Sequence, residues 1–219
     1  IISIFLFVFV IKINFKIKLA GTLIVFFIFS LLINFNENIK YRYYSQHIEG
    51  FINHNKNLNI NENQNIIFKT KDNLINFMKW TKYGAHYDAA YQIFLENPYF
   101  GIGIKQFRNE SAKDKYRNKE YKWTDERATT HPHQIHFEFL SETGLFGYVF
   151  FLFFIVTSLY LSIKNYLIHK NLFQLVSILF VLTSLIPFLP SGSFFSTYSS
   201  AIFWINYSIM VSYIKSFKS

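Results

Sequence analysis

Residues 130–147 read T-H-P-H-Q-I-H-F-E-F-L-S-E-T-G-L-F-G, and the architecture of the chain is built outward from them. The stretch holds three histidines (His131, His133, His136), two carboxylates (Glu138, Glu142) and two glycines (Gly144, Gly147), and an uncharged apolar run follows at 145–163. Polar chemistry therefore abuts a segment of membrane-spanning length. Pro132 suits the first position of a helix, where its missing N–H would be unpaired anyway, and Gly144 suits a helix end. The pattern predicts a short helix over 132–143 that carries His133 in its first turn and hands over at Gly144 to the next helix.

Composition extends this reading to the whole chain. Apolar residues make up 51% of it and aromatics 21%, with 28 Phe and 15 Tyr, while only 16% is charged. Four apolar segments, 19–35, 145–163, 172–190 and 198–214, approach or reach the roughly 17–25 residues that cross a bilayer core. A fifth, 1–11, is too short alone and begins without Met, so it reads as the tail of a helix that starts earlier. All 13 acidic residues lie between positions 37 and 142, and outside that interval the only charges are Lys12, Lys16, Lys18, Lys164, Lys170, Lys215 and Lys218. Lys-rich short loops stay in the cytoplasm, so three separate basic groups agree on one orientation.

The expected fold is all-α, a multispan helical membrane protein with a large extracytoplasmic loop containing short helices. Residues 1–35 form the end of one membrane helix, a Lys-rich cytoplasmic turn and one full membrane helix. Residues 36–144 form the outer loop with the functional motif, and 145–219 form three membrane helices and a basic cytoplasmic C-terminus. The outer loop carries 15 Lys and Arg against 13 Asp and Glu. It is nearly neutral, which argues against nucleic acid as a partner. With no Cys, disulfides and thiolate metal sites are excluded.

Within the outer loop, 36–79 is Asn-rich with strand-like runs such as 66–68, and order improves after Trp80. Ala89, Ala90, Ile93 and Phe94 recur at helical spacing over 85–96, and Asn97-Pro98 ends that helix. Gly101 and Gly103 indicate a tight turn or close backbone approach, with a phosphate-cradling loop as the sharper alternative. Residues 109–128 read as a solvated, charged excursion. The loop P-F-L-P-S-G-S-F-F-S (187–196) returns to the outer face and offers a second wall for a site there.

Chemistry centres on His133. The positive end of a helix disfavours a protonated imidazole and favours an anion, so a neutral His133 there can accept a proton. His136, three residues on, shares its face. The plainer reading is a set of interfacial histidines satisfied by hydrogen bonds; clustering beside Pro132 at a membrane entry favours function. A zinc site from the histidines and Glu138 is the alternative. The four arginines, Arg42, Arg108, Arg117 and Arg127, all fall outside, and their forked donors match phosphate oxygens; Arg108 and Arg127 are the main candidates. Tyr87, Trp80 and Trp123 suit either sugar stacking or core positions.

N-P-Y-F-G-I-G-I-K-Q-F-R (97–108), then T-H-P-H-Q (130–134) and S-E-T-G-L-F-G (141–147), together resemble the O-antigen ligase and polymerase superfamily of bacterial membrane glycosyltransferases. The shared signature is a His followed by Asn, Ser or Gln, nine residues, then G-x-x-G, met here by His133-Gln134, 135–143 and Gly144-Leu145-Phe146-Gly147. Gln134 stands where Asn is commoner. The resemblance covers roughly 83–214 and includes a late outer loop like 190–195. It implies an inner-membrane, multi-pass enzyme with a periplasmic active site. That enzyme moves a glycan from an undecaprenyl-diphosphate carrier to a glycan or lipid A core hydroxyl acceptor, without metal or other cofactor. By the same resemblance His133 is the catalytic base, Arg108 and Arg127 hold the diphosphate, and His131, His136, Glu142, Gly144 and Gly147 support the site.

Two other classes fit parts of the sequence. A lipid-linked oligosaccharide transporter would carry charges within its spans, where this chain has none. A metal-binding membrane protein would use the three histidines together.

Overall fold

The computed structural model describes residues 14–35, 37, 78–187 and 189–214. The segment 1–11, Lys12, the Asn-rich start of the outer loop with Arg42 and the strand-like 66–68, and Lys215 and Lys218 lie outside these residues. Among those described every regular element is helical: α1 (Phe15–Phe35), α2 (Lys82–Glu96), α3 (Phe107–Ser111), two 3₁₀ turns (Asp114–Tyr116 and Thr124–Glu126), α4 (Ile135–His169), α5 (Leu172–Ser184) and α6 (Thr197–Ser212).

Local chemistry sets these boundaries. The Thr81 hydroxyl accepts the Gly84 N–H at 3.0 Å and starts α2 three residues ahead of the predicted helix. The Asn97 N–H turns back to the Ile93 and Phe94 carbonyls, and Pro98 prevents continuation. At the head of α4 the Gln134 amide oxygen accepts the N–H groups of His136 and Phe137 at 2.8 and 3.0 Å. The helix therefore begins at Ile135 and not at 132. Lys170 closes α4 in the left-handed conformation, and Asn171 caps α5 by accepting from Phe173 and Gln174. Pro187 and Pro190 follow α5, which is 13 residues long and shorter than the predicted 172–190 span.

Gly144 breaks α4. Its φ of 66° and ψ of −169° are non-helical, so the predicted handover is present as a kink between 135–143 and 145–169. Among the described residues α4 is the one helix long and apolar enough to cross a membrane. Its later part packs with α5 and α6 around Phe151, Ile155, Leu159, Val181, Phe203 and Met210. Polar pairs tie the three together: Gln174 donates to the Met210 carbonyl at 3.1 Å and accepts from Asn165 at 2.9 Å, and Ser158 pairs with Tyr207 at 2.7 Å. Phe150, Phe153 and Val156 stay exposed on the outer face of α4.

A second core lies before α4, built from Ala89, Ala90 and Ile93 of α2 with Phe107 and Tyr116. Residues 109–128 are therefore more than a solvated excursion. Tyr116 is buried and its hydroxyl donates to Glu96 at 2.6 Å or to Glu110 at 3.0 Å, which seats the segment on α2.

Candidate functional site

The kink at Gly144 turns backbone groups outward, and a loop fills them. The N–H groups of Ile102 and Gly103 donate to the Ser141 and Glu142 carbonyls at 3.0 and 2.9 Å. Leu145 and Phe146 donate to Pro98 and Tyr99 at 2.7 and 3.2 Å. The two glycines make the approach possible. A Cβ at Gly144 would stand 2.4 Å from the Tyr99 carbonyl, and one at Gly101 would stand 2.4 Å from the Glu142 carbonyl carbon. Gly147 leaves room for the Thr143 side chain. N-P-Y-F-G-I-G and S-E-T-G-L-F-G thus form one joined structure. The phosphate-cradle alternative for Gly101-x-Gly103 is overturned here, because the loop's N–H groups at Gly101, Ile102, Gly103 and Lys105 are already donated within the fold.

Glu142, 1% exposed, accepts the Lys105 and Phe107 N–H groups at 2.7 and 3.1 Å and fixes the loop's far end. Lys105 and Arg108 thereby line a cleft of about 520 Å³ together with Gly192, Ser193 and Ser196, Thr130 and His131. The 190–196 loop is the second wall anticipated from sequence. Its Ser191 N–H donates to the His133 carbonyl at 2.7 Å.

The histidines separate into two groups. His133 precedes the helix cap with φ of 60°, so it is not in the first turn: the Gln134 side chain caps the helix and His133 sits in the bend before it. Its ring lies 4.1 Å from that of His131, 5.2 Å from His86 and 5.6 Å from Tyr83, centroid to centroid. His136 points elsewhere. Its Nε2–H donates to the Leu185 carbonyl at 2.8 Å, and its Nδ1 accepts from the Tyr148 hydroxyl at 3.0 Å. The three motif histidines do not converge, and among the described residues no group of three His, Cys, Asp or Glu is arranged to hold a metal ion.

His86, from α2, is the neighbour of His133 that the sequence reading missed. It is 1% exposed, its Nδ1–H donates to the Arg127 carbonyl at 3.3 Å, and burial lowers its pKa to about 4. The signal was present, since 86, 89, 90 and 93 complete a helical stripe. Burial also lowers the pKa of His131. Both neighbours of His133 are accordingly neutral at pH 7. Three polar atoms of the motif and its neighbouring loop, His131 Nε2, the Gln134 amide nitrogen and the Ser191 hydroxyl, are buried without a hydrogen-bond partner in the protein, as are the Tyr87 and Ser111 hydroxyls and Arg127 Nε elsewhere.

The two candidate arginines occupy different places. Arg108 is exposed on the cleft. Arg127 is 6% exposed and its guanidinium donates to the carbonyls of Thr124, Ala112 and Lys113 at 3.1, 3.2 and 3.0 Å. It knits the 109–128 segment together and is not among the residues that line the cleft. Tyr87 is buried against the Phe137 ring at 4.9 Å, and Trp123 donates to the Trp80 carbonyl at 3.1 Å; Tyr87 is thus a core residue.

Comparison with known families matches residues 1–152 of this chain to O-Antigen ligase. No curated protein and no solved structure matches the chain.

Proposed function

The chain belongs to the O-antigen ligase family, and from that membership and the geometry of the cleft we propose that it transfers a glycan from a polyprenyl-diphosphate carrier to a hydroxyl acceptor. The family makes it a membrane protein of bacterial surface-polysaccharide synthesis with glycosyltransferase-type chemistry. The proposed carrier is undecaprenyl diphosphate and the acceptor a sugar or lipid A core hydroxyl, the product being a ligated or a lengthened glycan.

In the proposed reaction the acceptor oxygen attacks the anomeric carbon of the glycan, and the bond from that carbon to the diphosphate oxygen breaks. The hydroxyl proton passes to the His133 imidazole. Neutral His86 and His131 place no positive charge beside that ring, so the arriving proton meets no like charge from them. The diphosphate leaves with the bonding electrons, and Arg108 and Lys105 stabilise the charge that develops on it. Arg127 acts at a distance, by holding the carbonyl that His86 uses. The positive-inside distribution of Lys supports an active site on the periplasmic side of the inner membrane, with the run after Gly144 entering the bilayer.

The observation that carries this reading is the contact of the His133 ring, at 4.1 Å, with His131, which lines a cationic, serine-bearing cleft. Replacing His133 by Ala is expected to abolish surface-glycan transfer while the protein still inserts in the membrane. Normal polysaccharide in cells that carry only His133→Ala would refute the mechanism.

A further inference from the structure

Glu138 and Glu142 stand one turn apart on the 135–143 helix, and each is 1% exposed. Burying a carboxylate costs several kcal/mol of hydration unless its oxygens meet donors. Here all four oxygens meet one, and the two pairs of donors come from different loops. Glu142 receives the Lys105 and Phe107 N–H groups. Glu138 receives the Ser193 hydroxyl at 2.5 Å and the Phe194 N–H at 2.7 Å. These loops are the two walls of the cleft: Lys105 and Arg108 on one side, Ser193 and Ser196 on the other. Between α5 and α6 the described residues of the second wall contain two prolines and no regular element. Its other ties to the motif are the Ser191 bond to His133 and the Phe194 and Phe195 rings packed on Phe139 at 5.1 and 5.0 Å, so Glu138 supplies the polar part of its anchorage beside an apolar one.

We propose that Glu138 and Glu142 are two independent clasps that fix the cationic and the serine wall on successive turns of one short helix, and that Glu138 is a positioning residue for transfer, acting through Ser193 and Phe194. The role in transfer rests on the function proposed above; the clasps do not. Removing either carboxylate loosens its own wall and leaves the other wall's hydrogen bonds in place, because no donor is shared.

Amide exchange of the full chain in lipid nanodiscs tests the clasps without any assay of activity. Glu138→Ala is expected to speed exchange over 190–196 by about tenfold, the consequence of losing the Ser193 and Phe194 hydrogen bonds, with 102–107 unchanged. Glu142→Ala is expected to do the reverse. Glu138→Gln keeps an acceptor for the Phe194 N–H and should fall between wild type and Glu138→Ala. Equal loosening of both loops in either variant, or unchanged 190–196 in Glu138→Ala, overturns the clasps. For transfer, Glu138→Gln and Ser193→Ala should each raise the donor KM, and their effects should not add in a double-mutant cycle. Additive effects, or wild-type kinetics in Glu138→Gln, overturn the positioning role while leaving glycan transfer standing. Failure of the wild-type chain to release polyprenyl diphosphate would instead remove the transfer reading.

Discussion

Arg108 and Arg127 both precede the His133 motif in sequence, yet one faces the cleft and the other spends its donors on three carbonyls. Their substitutions should separate accordingly. Arg108→Ala is expected to raise the donor KM at least tenfold with unchanged thermal stability. Arg127→Ala should destabilise the region before α4 by about 3 kcal/mol, since three carbonyls lose their partner. Calorimetry or exchange alongside kinetics distinguishes the two. His86 carries a pH prediction. Its folded pKa of about 4 lies below the ordinary 6.5, so the unfolded chain binds more protons between those values. Its contribution to stability is complete above about pH 6.5 and is lost as pH falls towards 4, by up to about 3 kcal/mol. Unfolding measured across this range should flatten in His86→Gln; an unaltered slope would assign the effect to other groups. At this scale residue types in a motif told more than positions did. The residue types of the motif can be read directly, but an arginine near a motif looks the same in sequence whether it meets solvent or carbonyls. That difference is made by 109–128 folding onto α2 through Tyr116, a contact no periodicity announces.

At the scale of elements, the break at Gly144 is what couples the two glycine motifs. A straight helix would bond the Ser141 and Glu142 carbonyls internally and leave nothing for Ile102 and Gly103 to meet. Gly144→Ala therefore faces both a backbone conformation costly to L residues, of order 1–3 kcal/mol, and a 2.4 Å approach to the Tyr99 carbonyl. Proteolysis or exchange at 98–103 should rise sharply in this variant and transfer should fall. Gly21→Ala, with open space around it, should change neither, and equal behaviour of the two variants would contradict this account. The helix end at Gly144 was readable from Gly chemistry alone. The start of α4 was not, because Pro132 at a first helical position and Gln134 as a side-chain cap are both ordinary solutions. The cap won here: it satisfies two N–H groups, and it leaves His133 in a left-handed bend whose carbonyl meets Ser191.

The whole molecule joins a chemically equipped segment to an apolar helix, and the charge pattern orients the pair. The proposed topology puts residue 119 outside the cytoplasm and residue 169 inside. The sequence has no Cys, so single substitutions report cleanly. Lys119→Cys is expected to react with a membrane-impermeant maleimide in cells with a permeabilised outer membrane, and His169→Cys only after lysis; the opposite pattern would invert the protein. Lysine placement carried this inference, while the lengths of α5 and α6 could not be read from hydropathy, since apolar residues continue past Ser184 into a proline-broken loop. The central claim is that His133, in contact with the cleft-lining His131, serves the cleft in moving glycan from a lipid diphosphate. Its most direct measurement is release of free polyprenyl diphosphate from a glycan-loaded carrier, with acceptor present, by the full chain in proteoliposomes. The account predicts release and a longer acceptor with wild type, a loss of roughly a hundredfold to ten-thousandfold with His133→Ala by the scale of general-base catalysis, and no dependence on chelator. Release by His133→Ala at the wild-type rate would contradict it.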